Sequence, residues 1–128
     1  MLARANRIVR ADDYKNTVRR GRKTTTAHCV VYVRSVPVGT SARFGFIVAK
    51  TVGNAVVRNT VRRRLKGVAH TILASTEGHV LPQGTDVVIR ALPGSIEVPW
   101  SSLLQEITAV LDKAAIDKGV LSSKETTA

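Results

Sequence analysis

The side chains most able to do chemistry in this sequence are cations, and they are concentrated between Arg43 and Leu73, where no Asp or Glu occurs. From Asn54 onward, apolar residues recur at helical spacing, which predicts a helix over residues 54–76 with one buried face. At about 100° per residue, six polar side chains share the arc beside that face. They are Arg58, Asn59, Arg62, Arg63, Lys66 and His70.

This row of cations predicts a polyanionic ligand. Arg58, Arg62 and Lys66 follow one another at intervals of four residues, where like charges repel by about 0.2–0.5 kcal/mol per pair. A helix face that is merely solvated normally mixes positive and negative side chains. The solvated face is the alternative interpretation, and binding of a polyanion is the favoured one.

RNA fits the row better than DNA does. A DNA-recognition helix usually follows a partner helix closely, whereas this predicted helix follows a β-branched and aromatic run that indicates a strand. Arginine forks clamp phosphates, and Asn59 can hydrogen-bond the RNA backbone or base edges. Tyr14 and Tyr32, if exposed, would offer stacking surfaces to unpaired bases. Ordinary core packing is the alternative for both tyrosines.

The excess of positive charge lies in one half of the chain. The 128 residues carry a formal net charge of +11. Residues 1–66 hold 16 Lys and Arg against two acids, whereas residues 67–128 hold four against seven. A basic half on a nearly neutral scaffold predicts a single polyanion-binding surface.

Residues suited to other chemistries are scattered. Hydrolysis of a phosphodiester needs a paired acid and base or a carboxylate cluster around Mg²⁺, and the acids fall in separate predicted elements. The three histidines lack metal-ligand spacing, and the only cysteine, Cys29, lies in an apolar run where burial is expected. We therefore predict no catalytic residue and no metal site in the chain. No apolar run reaches the roughly 18 residues of a membrane span, so we expect a cytoplasmic protein with no membrane partner.

The predicted elements form one α+β domain, residues 1–116, followed by a disordered tail, residues 117–128. Asp12 or Asp13 is expected to cap the first helix and favour its N-terminus, and Asn54 is expected to cap the second helix. Gly67 costs about 1 kcal/mol relative to Ala inside a helix, which weakens the prediction of an unbroken second helix. The elements in order are a helix at 12–20 ended by Gly21, strands at 27–34 and 43–50 paired as a hairpin, a helix at 54–76 stopped by Gly78, a strand at 86–92 and a helix from Pro99.

Residues 48–63, VAKTVGNAVVRNTVRR, resemble the signature of the bacterial ribonuclease P protein subunit family. The resemblance covers about residues 1–115. It implies an α+β fold with a small, mainly antiparallel sheet of three to four strands, helices packed on it and an unusual left-handed βαβ crossover. It also implies a ribonucleoprotein in which a catalytic RNA holds Mg²⁺ and removes the 5′ leader of precursor tRNA, while the protein is a non-catalytic subunit and a monomer on its own.

The resemblance further implies two sets of site residues. The helix that docks on the catalytic RNA would present Arg58, Asn59, Arg62, Arg63 and Lys66. The cleft that binds the precursor-tRNA leader, between the first helix and the sheet, would be formed by Tyr14, Val18, Val30, Tyr32 and Lys50. The sequence departs from the family pattern at Thr51 and Thr60, where basic residues are common, and at Val18, where an aromatic is common.

Two rival functions are left open by the sequence. A structural RNA-binding protein, such as a ribosomal component, would explain the same cations and would co-purify with ribosomal subunits. A protein-only nuclease would cleave RNA in a metal-dependent way after removal of all bound RNA.

Overall fold

The computed structural model describes residues 4–35, 42–74 and 84–117. Within these ranges four strands form one sheet, and three α-helices pack on its two faces. Short 3₁₀ turns precede or join the elements at Arg4–Asn6, Lys50–Val52 and Ser95–Glu97. The elements are α1 (Ala11–Arg20), β1 (Arg22–Thr25), β2 (Cys29–Ser35), β3 (Arg43–Ile47), α2 (Ala55–Ala74), β4 (Thr85–Ala91) and α3 (Trp100–Asp117).

The strand order is β1-β2-β4-β3, with β1–β2 and β2–β4 antiparallel and β3–β4 parallel. The predicted hairpin between β2 and β3 is therefore wrong, because β4 lies between them. β4 is buried at six of its seven residues, as a central strand requires. β3, α2 and β4 form a βαβ unit, as the family resemblance implied, and the handedness of its crossover stays a prediction.

The two faces of the sheet carry different cores. On one face, alternate strand residues such as Val31, Phe44 and Ile89 pack against Leu65 of α2 and Ile107 of α3. On the other face, a smaller cluster of Ile8, Val30, Tyr32 and Val88 lies under α1. This alternation places every second residue of β2, β3 and β4 on the α1 side of the sheet.

Two helix ends agree with the local signals in the sequence. Asn54 caps α2, because its Oδ1 accepts a hydrogen bond from the Val57 amide at 2.9 Å, and this prediction is confirmed. Gly21 ends α1, where its amide donates to the Thr17 carbonyl oxygen at 2.8 Å. Asp12 and Asp13 both lie in the first turn of α1, where negative charge favours the N-terminus, but the capping role is wrong because the N-cap is Arg10. Asp117, the first residue of the predicted disordered tail, is instead the last residue of α3. The rest of that tail, residues 118–128, and the stop predicted at Gly78 lie outside the described residues.

Gly67 does not interrupt α2, which is continuous from residue 55 to residue 74. A Cβ atom at Gly67 would lie 3.0 Å from Nε1 of Trp100. The glycine therefore makes room for the first residue of α3, and its cost in helix propensity is offset by contact between the two helices.

Candidate nucleic-acid interface

One side of α2 carries the cationic face, which we define as Arg58, Asn59, Arg62, Arg63 and Lys66. Asn59, Arg63 and Lys66 are exposed, and Arg58 and Arg62 are half-buried at its margin. The opposite side of the helix is fixed in the core. Its buried residues are Val61, Leu65, Val68, Ala69 and Ile72. Burial of this apolar side fixes the rotation of α2 and so gathers the cations on one surface.

The charges of the cationic face are not neutralised within the described part of the chain. None of its four cations is ion-paired there with a carboxylate. Their hydrogen bonds go to neutral groups: Arg62 Nη1 donates to Asn59 Oδ1 at 3.1 Å, and Arg63 Nη2 donates to Thr60 Oγ1 at 3.4 Å. The guanidinium groups of Arg62 and Arg63 are thus oriented by neighbours on the helix, and no carboxylate of the described residues pairs with them.

Two other arginines have structural contacts instead. Arg64 Nη1 donates to the carbonyl oxygens of Ile96 at 2.8 Å and Val98 at 3.2 Å, which ties the turn before α3 to α2. Arg43 donates through Nε and Nη2 to the two carboxylate oxygens of Asp86, at 2.9 and 2.7 Å. The hydrogen bond to Asp86 raises the pKa of Arg43, against the opposing effect of burial. Arg43 and Arg64 therefore have structural roles, whereas the cations of the cationic face make no comparable contacts with other elements of the described structure.

A shallow depression of about 360 Å³ lies between α1 and the sheet. Its floor is apolar, and its rim carries cations from two elements. The lining residues are Ala11, Tyr14, Lys15, Val18, Arg19, Ile47 and Arg90. An apolar floor with a cationic rim suits an unpaired nucleic-acid strand, whose bases are flat and apolar and whose backbone is anionic.

The ribonuclease P family model matches residues 2–115 of the sequence. This chain belongs to the ribonuclease P protein family. The ribonuclease P protein component of Clavibacter michiganensis subsp. michiganensis is 47% identical over 114 residues, which cover 89% of this chain and 96% of that protein. The component of Streptomyces avermitilis is 40% identical over 121 residues, covering 88% of this chain and 94% of that protein. The resemblance seen in the signature at residues 48–63 is thereby confirmed.

Solved ribonuclease P proteins share the fold. The Staphylococcus aureus protein superposes with a TM-score of 0.69 at 21% identity, covering 85% of this chain and 94% of that one. The Thermotoga maritima protein gives a TM-score of 0.69 at 20% identity, covering 84% and 96%. The predicted α+β class with a small sheet and packed helices is confirmed.

The five leader-cleft residues predicted from the ribonuclease P family occupy three different environments. Tyr14 and Val18 are half-buried and line the depression. Val30 and Tyr32 lie below its floor and are only 6% and 4% exposed, so the core-packing alternative holds for Tyr32. Lys50 is exposed in the 3₁₀ turn after β3 and does not line the depression.

Both tyrosines are held by the fold around them. Tyr14 Oη accepts a hydrogen bond from the Phe46 amide at 3.3 Å, and its ring lies where a Cβ at Gly45 would come within 2.5 Å. Gly45 is thus required for the ring to approach the sheet. Over the Tyr32 ring lies the Arg90 guanidinium, 5.9 Å from the ring centroid. The upper surface of Tyr32 is therefore covered by an exposed cation of β4.

Sequence reasoning missed the three rim cations. Lys15 and Arg19 directly follow Tyr14 and Val18 at the same spacing of four, so the helical pattern of α1 contained the signal. Arg90 could not be placed in this way, because it reaches the depression only through the pairing of β4 with β2 and β3.

The described residues contain no candidate metal-binding site. No three His, Cys, Asp or Glu side chains converge on a common point in residues 4–35, 42–74 and 84–117. Cys29 is fully buried, and this burial raises the pKa of its thiol to about 12. The thiol is therefore unreactive, in agreement with the predicted burial. No helix in the same ranges is long and apolar enough to cross a membrane.

Proposed function

We propose that this chain is the protein component of a ribonuclease P ribonucleoprotein, acting in the cytoplasm on precursor tRNA. In this role it binds the catalytic RNA and the 5′ leader of the substrate, and it assists Mg²⁺-dependent removal of the leader. The RNA holds most of the Mg²⁺ and performs the scission, and the protein, a monomer on its own, supplies no catalytic residue. The observation that carries the proposal is the cationic face, whose cations have no carboxylate partners in the described part of the chain. Membership of the ribonuclease P protein family supports the same role.

The catalytic RNA docks on the cationic face. Arg62 and Arg63 each present a guanidinium fork that matches a phosphate, and Asn59 can hydrogen-bond backbone or base edges. Thr60, one of the departures from the family pattern, adds no charge. Its hydroxyl donates to the Val56 carbonyl oxygen at 3.0 Å and accepts from Arg63, so it orients a neighbouring cation.

The leader of precursor tRNA lies in the depression between α1 and the sheet. Tyr14 and Val18 contact its bases, and the three rim cations contact its phosphates. Val30 and Tyr32 act from below as the support of the floor. Lys50, close to the start of α2, contacts the RNA leader at the point where the leader leaves the depression.

Reconstitution at low Mg²⁺ tests this function. Adding the protein to its cognate catalytic RNA is expected to raise the rate of precursor-tRNA cleavage, because a cation-rich subunit replaces part of the Mg²⁺ that would screen RNA–RNA repulsion. Arg62→Ala should reduce the stimulation, and Lys113→Ala, at an exposed position of α3, is the charge-matched control. An unchanged rate with the unmodified protein contradicts the proposal.

The rival functions give different outcomes in the same preparation. Cleavage by the protein after removal of all RNA would indicate a protein-only nuclease. Co-purification with ribosomal subunits, without any precursor-tRNA cleaving activity in the bound fraction, would indicate a ribosomal component.

A further inference from the structure

The chain contains one tryptophan, Trp100, and it is 38% exposed at the first position of α3. A tryptophan offers the largest apolar surface of any side chain, and burial of that surface would be favourable. Its partial exposure beside a basic helix leaves part of the indole surface open to a ligand.

Trp100 is held in place from two sides. Its Nε1 lies 3.0 Å from the position that a Cβ at Gly67 would occupy, so the indole rests against the backbone of α2. The turn just before it is fixed by Arg64, which donates to the carbonyl oxygens of Ile96 and Val98. These contacts preorganise the indole before any ligand arrives.

The indole lies at the edge of the cationic face. Gly67 comes one helical turn after Arg63 and directly after Lys66, two exposed members of that face. An aromatic ring beside cations that can hold phosphates is the combination that binds an unpaired nucleotide, with the base on the ring and the backbone on the cations.

We propose that Trp100 extends the cationic face as a stacking platform for one unpaired base of the catalytic RNA. This inference rests on the proposed docking of that RNA on α2. The close approach of the indole to α2 depends on Gly67. An aliphatic side chain at position 100 could contact α2 but would leave no aromatic surface at the edge of the cationic face.

The emission of Trp100 provides a direct test, because no other tryptophan contributes to the signal. Titration of the full chain with its catalytic RNA is expected to quench the emission and to protect it from acrylamide. Precursor tRNA alone is expected to leave both properties unchanged. Quenching by precursor tRNA alone would overturn the assignment to the catalytic RNA.

Two substitutions separate stacking from packing. Trp100→Leu keeps an apolar contact with α2 but has no aromatic face, and it should weaken binding of the catalytic RNA by about 5- to 150-fold, the range for loss of one stacked base. Trp100→Phe keeps a smaller ring and should lose less affinity. Thermal unfolding of both variants checks that each is folded at the binding temperature.

The outcomes distinguish this inference from the function on which it rests. If the unmodified protein binds the catalytic RNA with unchanged Trp100 emission, or if the Leu and Phe variants bind equally well, the stacking platform is overturned and the function stands. If the unmodified protein does not bind the RNA, both are overturned.

Discussion

The cationic face of α2 and the depression under α1 both combine cations with side chains that can contact RNA bases, but the two surfaces are built differently. On α2, all five residues lie within nine positions of the sequence and on one helix. In the depression, the lining comes from α1, β3 and β4, whose residues are up to about 80 positions apart in the chain. A surface made by one helix depends on local sequence, whereas the depression depends on the completed sheet.

This difference predicts how the two surfaces respond to substitution. Side chains of the cationic face project from a helix whose opposite side is in the core, so their loss should affect binding and leave stability nearly unchanged. Below the depression, Tyr32 and Val30 belong to a hydrophobic cluster. Their loss should affect stability and binding together.

The largest expected effect is on stability, for Arg43→Ala on the α1 side of the sheet. Asp86 is fully buried, and both of its carboxylate oxygens accept hydrogen bonds from Arg43. Removal of one partner of a buried ion pair costs about 3–5 kcal/mol, because the other charge is left uncompensated. Urea unfolding measures the loss, and Arg63→Ala, expected to change stability by less than about 0.5 kcal/mol, is the matched control. Similar losses for both arginines would contradict the distinction between structural arginines and those of the cationic face.

Tyr32→Ala should lower the free energy of unfolding by about 3 kcal/mol, since it removes a buried aromatic ring between α1 and the sheet. Tyr14→Ala, at the half-buried opening of the depression, should lower it less and should reduce the preference for precursor over mature tRNA more. Chemical unfolding and affinities for the two tRNAs measure both quantities. A specific loss of leader binding by Tyr32→Ala, with stability intact, would show that Tyr32 is a contact residue and not a support.

On the cationic face, Arg62→Ala and Arg63→Ala should each weaken binding of the catalytic RNA. Each should also reduce the slope of log K against log salt by about one, the effect of one lost phosphate contact. Filter binding over a series of KCl concentrations gives the slope, with Lys113→Ala as the charge-matched control. If neither slope changes, these arginines do not contact phosphate.

The smallest expected effect is for Glu106→Gln, which belongs to neither surface. Glu106 Oε1 accepts hydrogen bonds from Thr26 Oγ1 at 2.7 Å and from the His28 amide at 3.0 Å, and Oε2 lies 2.5 Å from His28 Nδ1. Burial acts to raise the pKa of Glu106, but these hydrogen bonds outweigh it and hold the pKa below its usual value.

Because the pKa of Glu106 is lower in the folded state, its stabilisation is complete above the usual value of 4.5 and is lost as the pH falls through the folded-state pKa. Glu106→Gln should therefore cost about 1–2 kcal/mol at pH 7 and progressively less below pH 4.5. Unfolding over a pH series measures this, and RNA binding at pH 7 should be unaffected. A stability difference that does not depend on pH would show that the charge of Glu106 is not involved.

Local sequence signals predicted α2, its Asn54 cap and the grouping of the cationic face, because each depends on neighbours within a few turns. β1 was missed because its four residues, RKTT, are polar and mostly exposed, so they lack the apolar alternation of a strand. The β2–β3 hairpin was wrong because nearness in the chain was taken for pairing. The burial of Tyr32 and the position of Arg90 depend on strand order, which short-range patterns do not encode.

The central position of β4 in the sheet also affects how the chain folds during translation. β3 has no other partner strand in the described part of the chain, and β2 otherwise pairs only with β1. During translation, α2 leaves the ribosome before β4, the strand that completes the sheet on which α2 packs. The apolar side of α2 therefore has no complete sheet to pack against until residue 91 has been added. A nascent chain that stops short of β4 would expose a basic amphipathic helix without a core, a target for proteases and for any nearby RNA.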